Sequence, residues 1–208
     1  QKCGKTGPAT AATSAASSCH HVPCALDGAR IVIAGDLLNG RTVHSLAQVL
    51  ATCFRDVTLT FIAPPSLELP TELIAKLYHL IADCHGEAAK STLNFYSAFD
   101  EAPAIAALAN ADVLYVTRVQ KERFATMDEY HRVKGSYVVD AALMAKLSPS
   151  AFVMHPLPRV DEIHTEVDAD PRAAYFDQMR CGLYMRMALL TTVLGELPSL
   201  ARMGLPIA

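Results

Sequence analysis

Short apolar runs and longer segments of helical period alternate along most of this chain, and that alternation narrows the fold more than any other feature. Arg30-Ile31-Val32-Ile33-Ala34 is rich in β-branched residues and stops at Gly35-Asp36, which predicts a buried strand. Thr42 to Phe54 then carries Val43, Leu46, Ala47, Leu50 and Phe54 at helical spacing. Val57 to Ile62 predicts a second strand closed by Pro64-Pro65, and Thr71 to Ala82 a second helix with Thr71 as its N-cap. Further on come a strand over Leu93 to Tyr96, a helix from Asp100 to Leu108 with Pro103 in its first turn, and a strand over Val113 to Val116. A short strand over Tyr137 to Val139, a helix from Ala141 to Leu147 and a last strand over Phe152 to Met154 complete the series. These strands are apolar throughout rather than at every second residue, so both of their faces are covered. The expected class is α/β: a doubly wound, Rossmann-like, mainly parallel sheet with helices on both faces.

A long C-terminal helix, over about 172–194, stands apart. Phe176, Met179, Leu183, Met187, Leu190 and Leu194 form one apolar stripe, and Tyr175, Tyr184, Ala188, Leu189 and Val193 widen it well beyond one face. A helix apolar most of the way round is buried on more than one side. A single α/β layer covers one side, so this helix expects a second domain. Residues 1–25, dominated by Ala, Thr and Ser between Pro8 and Ser18, read as a low-complexity tail or linker. Residues 26–208, including that helix, read as one domain.

Composition excludes several classes of function. The net charge is −3 and no Lys/Arg stripe occurs, so neither nucleic acid nor an anionic membrane is an expected partner. No apolar stretch approaches the ~20 residues of a membrane-spanning helix. A mean hydropathy of +0.22 is high for a soluble monomer and points to surface that another domain or subunit covers. The six cysteines are irregularly spaced. Cys53, Cys84 and Cys181 fall in apolar helical patterns and read as buried free thiols, which favours a reducing, cytoplasmic compartment over a disulfide framework. The chain opens on Gln1 rather than Met, so it reads as a fragment, a processed product or an incomplete gene model, and an organellar address stays open. Cys19-His20-His21-Val22-Pro23-Cys24 crowds four possible ligands into too short a segment for a structural zinc site, and no metal is expected. Gly4-Lys5-Thr6 lacks the upstream glycine and strand of a phosphate loop.

Ligands of open α/β sheets bind beyond the carboxyl ends of the strands, and three segments there carry polar groups. Gly35-Asp36-Leu37-Leu38-Asn39-Gly40-Arg41-Thr42 brings Arg41 and Thr42 to a helix start, a geometry suited to an anion. Thr117-Arg118-Val119-Gln120 alternates so that, if extended, Arg118 and Gln120 point the same way and fork a carboxylate. His155-Pro156-Leu157-Pro158-Arg159 places Leu157 between two prolines, which leaves stiff carbonyls able to accept from an amide NH₂. Spacing alone leaves open a solvated Arg41, an ordinary charged loop at Arg118, and a structural His155.

Taken together, GDLLNGRTVHSLA (35–47), DVLYVTRVQKERF (112–124), HPLPRVDEI (155–163) and DPRAAYFDQMRCGLYMRMALL (170–190) resemble the aspartate carbamoyltransferases, in the same order and over about residues 26–195. The resemblance implies transfer of the carbamoyl group from carbamoyl phosphate to L-aspartate, giving N-carbamoyl-L-aspartate and phosphate in pyrimidine biosynthesis. It implies that Arg41 binds the α-carboxylate of aspartate, that Arg118 and Gln120 hold the β-carboxylate, and that the Leu157 and Pro158 backbone meets the carbamoyl group. Arg123 corresponds to a residue that helps lock a closed domain arrangement, and Thr42 and His155 are expected in support. No cofactor is implied. The family's carbamoyl-phosphate half, with its Ser-Thr-Arg-Thr loop and His-Pro-Thr-Gln segment, has no counterpart in these 208 residues. The partners expected are therefore that missing domain and a homotrimer of the complete enzyme, and the chain alone is expected to be inactive. A non-catalytic amino-acid-binding or regulatory remnant remains the second reading. An ornithine enzyme is disfavoured because Pro156 stands where that group has Cys, and a nicotinamide enzyme because GxGxxG is absent.

Overall fold

The structure, a computed structural model, describes residues 26–86 and 89–194. The tail over 1–25, the Cys19–Cys24 cluster and Gly4-Lys5-Thr6 lie outside the described residues. Five strands form one sheet: β1 (Arg30–Ala34), β2 (Thr58–Ile62), β3 (Thr92–Tyr96), β4 (Val113–Val116) and β5 (Phe152–Met154). All four pairings are parallel, in the order β3-β2-β1-β4-β5. The chain winds outward from β1 to β3, then returns to β4 on the other side of β1. That reversal is the mark of the doubly wound class.

Strand side chains alternate between two separate cores. Ile31, Ile33, Leu59 and Phe61 face helices α1 (Arg41–Cys53) and α2 (Thr71–His85) through Val43, Ala47, Leu50 and Leu77. Val32, Ala34, Leu114, Val116 and Val153 face α3 (Ala102–Ala109), α5 (Ala141–Met144) and the segments around Tyr137, Ile163 and Val167. Burial on both sides explains why the strands read as unbroken apolar runs. A short helix α4 (Met127–Val133), closed by a capping box between Thr126 and Glu129, was not among the elements expected.

Several expectations need correction. Thr71 is not an N-cap: the Pro70 carbonyl already accepts from the Leu73 and Ile74 N–H groups, so the helix begins one residue earlier than the cap required. Tyr137–Val139 is no strand but a single parallel bridge, Val139 to Ile163. Cys53, Cys84 and Cys181 are free but exposed, because they lie on helix surfaces that nothing in the described chain covers. The C-terminal helix, α6 (Tyr175–Leu194), starts later than expected because Ala173 and Ala174 first pair with Val153 at the sheet edge.

Helix α6 departs furthest from expectation. Tyr175 is fully buried and its hydroxyl donates to Asp168, which also takes two bonds from Arg159. Burial and the bond to Asp168 push the Tyr175 phenol up to about 12. Beyond that first turn the sheet layer covers almost nothing: the large apolar residues from Phe176 to Leu194 are 45% to 81% exposed. The sequence allowed one covered side, and the structure provides little more than an anchor.

Ion pairs fix the acid limit of the fold. The Arg30 guanidinium holds Asp112 below the usual carboxylate range, Arg159 does the same for Asp168, and Arg172 for Asp170. A carboxylate depressed in the folded state adds stability above its unfolded pKa and loses it as pH falls through the folded value. Thermal melts followed by circular dichroism are expected to keep one Tm from pH 7 to 5 and to fall below about pH 4, near the unfolded aspartate value. A Tm that falls as steeply between pH 7 and 5 would contradict this assignment.

Candidate functional site

The sheet reverses between β1 and β4, and the crevice beyond those strand ends is where the fold offers a site. Gly35 ends β1 with φ +114°, and a Cβ there would lie 2.2 Å from the Thr117 carbonyl oxygen. Only glycine lets the two strand ends approach so closely. Gly40 is similarly constrained, since a Cβ would sit 2.5 Å from the Asp36 carbonyl. These two glycines bracket the turn that starts α1 at Arg41.

Asp36, fully buried, ties the two loops together. Its Oδ1 accepts from the Asn39 backbone N–H at 2.9 Å, and both oxygens accept from the Asn39 amide at 3.1 and 3.2 Å. Oδ2 also takes the Gln120 backbone N–H at 3.3 Å, across the switch point. The Gln120 side-chain amide donates to the Asn39 carbonyl at 3.1 Å, closing the connection. A buried carboxylate is tolerated because N–H donors surround it. Arg41 is exposed at the first position of α1, two residues from Asn39. Thr42 beside it meets the Tyr115 hydroxyl, while burial is the larger influence on that phenol and raises it.

Arg118 follows β4 and is held by Glu122, Nη2 to Oε1 2.6 Å. It lines a cleft of about 220 Å³ with Val119, Tyr130, Lys134, Val160 and Glu162. The expected common direction of Arg118 and Gln120 is not seen, because Gln120 turns to Asn39 while Arg118 turns to Glu122. Arg123, in a 3-10 turn over Lys121–Arg123, is exposed. The cleft includes Arg118 but not Arg41, Gln120, Leu157 or Pro158. The structure thus joins the two arginine-bearing loops through Asp36 without enclosing both guanidinium groups in one cavity.

The third segment is built around His155, which is 1% exposed. The Leu157 N–H donates to His155 Nδ1 at 2.8 Å, so Nδ1 carries the lone pair and Nε2–H donates to Glu162 Oε1 at 2.8 Å. Geometrically an ion pair, this contact is better described as a neutral imidazole bonded to a carboxylate. Burial alone would raise Glu162, but bonds from His155 and the Val160 N–H bring it below the usual range. Leu157 sits at φ 48° and the Leu157–Pro158 peptide is cis. Among the described residues, neither the Leu157 nor the Pro158 carbonyl accepts a hydrogen bond. The role of Asp36 escaped sequence reasoning, which saw it as a strand stop, and so did Glu162. An acid directly after a strand-ending glycine was the available signal for Asp36. Among the described residues no cluster of His, Cys, Asp and Glu could hold a metal ion, and no helix is long and apolar enough to cross a membrane.

Comparison with known proteins follows the same lines. Residues 27–193 match the family model described as aspartate/ornithine carbamoyltransferase, Asp/Orn binding domain. The aspartate carbamoyltransferase catalytic subunit of Thermococcus onnurineus is 45% identical over 172 residues, covering 83% of this chain and 50% of that protein. The multifunctional protein pyr1-3 of Dictyostelium discoideum is 45% identical over 170 residues, covering 82% of this chain and 7% of that protein. A crystal structure of aspartate transcarbamoylase from Trypanosoma cruzi, in complex with aspartate and phosphate, superposes with a TM-score of 0.67 at 42% identity, covering 79% of this chain and 47% of that one. The chain spans about half the length of the catalytic subunit it matches and a small part of the multifunctional relative.

Proposed function

The chain belongs to the aspartate/ornithine carbamoyltransferase family, and from that premise we propose that it forms the aspartate-binding half of an aspartate carbamoyltransferase acting in pyrimidine biosynthesis. The observation that carries this reading is the Asp36 network, which fixes the loop leading to Arg41 against the loop of Arg118 and Gln120. Aspartate has two carboxylates at a fixed separation, so its recognition needs cationic groups on two loops held in register. Arg41 takes the α-carboxylate, and Arg118 with Gln120 takes the β-carboxylate as Glu122 releases the guanidinium. Pro156, and the aspartate-specific name of the Thermococcus relative, favour aspartate over ornithine.

The chemistry is attack of the neutral amine on the carbamoyl carbon: a C–N bond forms, the C–O bond to phosphate breaks, and the amine proton leaves with the phosphate. Catalysis is then orientation of two reactants and stabilisation of the oxyanion that develops. The unoccupied Leu157 and Pro158 carbonyls accept from the carbamoyl NH₂ and aim its carbon at the amine. Thr42 supports Arg41 at the start of α1, and Arg123 braces the closed arrangement of the two domains. Carbamoyl phosphate enters on a second half that packs on the apolar length of α6, within a homotrimer in the cytoplasm.

This reading requires two results. Charge-assisted contacts contribute roughly 1.5–3 kcal/mol each, but association entropy and the release of Arg118 from Glu122 offset much of their sum, so the chain alone has about millimolar affinity for aspartate and no turnover. Supplying the carbamoyl-phosphate-binding half of a relative in trans restores carbamoyl aspartate formation from carbamoyl phosphate. Micromolar aspartate binding by the chain alone in calorimetry, or a folded assembly with no turnover, would sink the proposal.

A further inference from the structure

Pro156 and Pro158 have no N–H, so the Leu157 N–H is the sole main-chain donor in the Pro156-Leu157-Pro158 turn. It is used on His155 Nδ1 at 2.8 Å, while the other imidazole nitrogen meets Glu162 Oε1 at 2.8 Å. Glu162 Oε2 takes the Val160 and Asp161 N–H groups, each at 3.2 Å, and the His155 backbone N–H donates to Gln178 Oε1 on α6 at 2.9 Å. The two side chains are 1% and 9% exposed. A buried polar pair serving stability alone needs only to satisfy itself. These two instead end on backbone donors at the tip and far side of one loop, and they hold Leu157 at φ 48°, where a non-glycine residue does not rest unaided.

We propose that His155 and Glu162 are positioning residues, a clamp that sets the direction of the Leu157 and Pro158 carbonyls and acts on carbamoyl transfer through kcat rather than through aspartate binding. This inference rests on the aspartate carbamoyltransferase reading. Glu162 lines the same cleft as Arg118, but neither clamp residue hydrogen-bonds to Arg41 or Arg118, whose own partner is Glu122, so the carboxylate forks keep their contacts when the clamp is cut. Glutamine at 162 keeps the volume but cannot accept from His155 and from two backbone N–H groups at once. Asparagine at 155 keeps an acceptor for the Leu157 N–H and cannot reach Glu162, whereas glutamine at 155 reaches Glu162 and loses that acceptor.

The test uses the chain assembled with a carbamoyl-phosphate-binding half. Glu162→Gln and His155→Gln are expected to lower kcat about 10- to 100-fold, the range of an outer partner that orients a reacting group, with the aspartate KM changed less than about threefold. His155→Asn is expected to retain more kcat than His155→Gln. Wild-type imidazole ¹⁵N spectra should show a bare Nδ1 and a protonated Nε2, and hydrogen exchange should show a protected Leu157 amide; neither measurement needs a variant to fold. A kcat within twofold of wild type in both variants, a loss confined to the aspartate KM, or an unprotected Leu157 amide overturns the clamp. A wild-type assembly without turnover overturns the reading beneath it, an outcome that the spectra distinguish from failure of the clamp itself.

Discussion

Arg118→Ala, assayed in the assembled enzyme, is expected to lower kcat/KM for aspartate about 10³-fold while leaving the Tm almost unchanged. A guanidinium fork makes two charge-assisted hydrogen bonds to a carboxylate, and roughly 4 kcal/mol of such contact corresponds to that factor. Stability should not follow, because the Arg118–Glu122 pair is 35% and 53% exposed and an exposed pair of this kind contributes about 0–1 kcal/mol. Removing the arginine also leaves the Glu122 carboxylate unpaired beside the site of an anionic substrate, which adds repulsion. Arg118→Lys keeps the charge and loses the planar fork, so it should recover no more than about tenfold of the loss. Glu122→Ala tests the other side of the same contact. It should not raise the aspartate KM, since it removes a competitor for the guanidinium. A loss below tenfold in Arg118→Ala would mean that this arginine does not grip the substrate.

The fold was legible because each strand is apolar on both faces and each early helix has one apolar stripe. Ile31 to Ala34 could only be an interior strand, and Val43, Ala47 and Leu50 could only be the inner face of a helix. The misreadings came where local pattern and long-range pairing compete. Val139 has strand propensity, but its one partner is Ile163, so no ladder forms. Cys181 sits in an apolar pattern on a helix that the described residues leave largely exposed. The site was legible in its charges and not in its connections. Arg41, Arg118 and the stiff Pro156-Leu157-Pro158 turn announce themselves by residue type and position after strands. The bond from the Gln120 N–H to Asp36 spans 84 residues and cannot be read from spacing. The separate partners of Arg118 and Gln120, Glu122 and the Asn39 carbonyl, were equally hidden in the spacing.

Asp36 is where stability and recognition should fail together. Asp36→Ala strands the Asn39 N–H, the Asn39 amide and the Gln120 N–H, all of which now end on one buried carboxylate. These donors are part-buried, so each costs toward the low end of about 1–3 kcal/mol when unpaired, and a total near 4 kcal/mol is expected, or a Tm lower by about 10 °C in a domain of this size. The loop carrying Arg41 and the loop carrying Arg118 then lose their common register, and kcat/KM for aspartate should fall at least as far as in Arg118→Ala. Asp36→Asn separates the two effects. One amide oxygen still accepts from Asn39, but its NH₂ faces the Gln120 N–H, so the turn survives while the bridge across the switch point opens. Its Tm should lie between wild type and Asp36→Ala, with most of the kinetic loss retained. A double-mutant cycle decides the route: if Asp36 acts through the Gln120 loop, adding Asp36→Asn to Arg118→Ala costs far less kcat/KM than it costs alone. Additive losses, or an Asp36→Ala chain that melts like wild type, would show that the two loops are held in register by something other than this carboxylate.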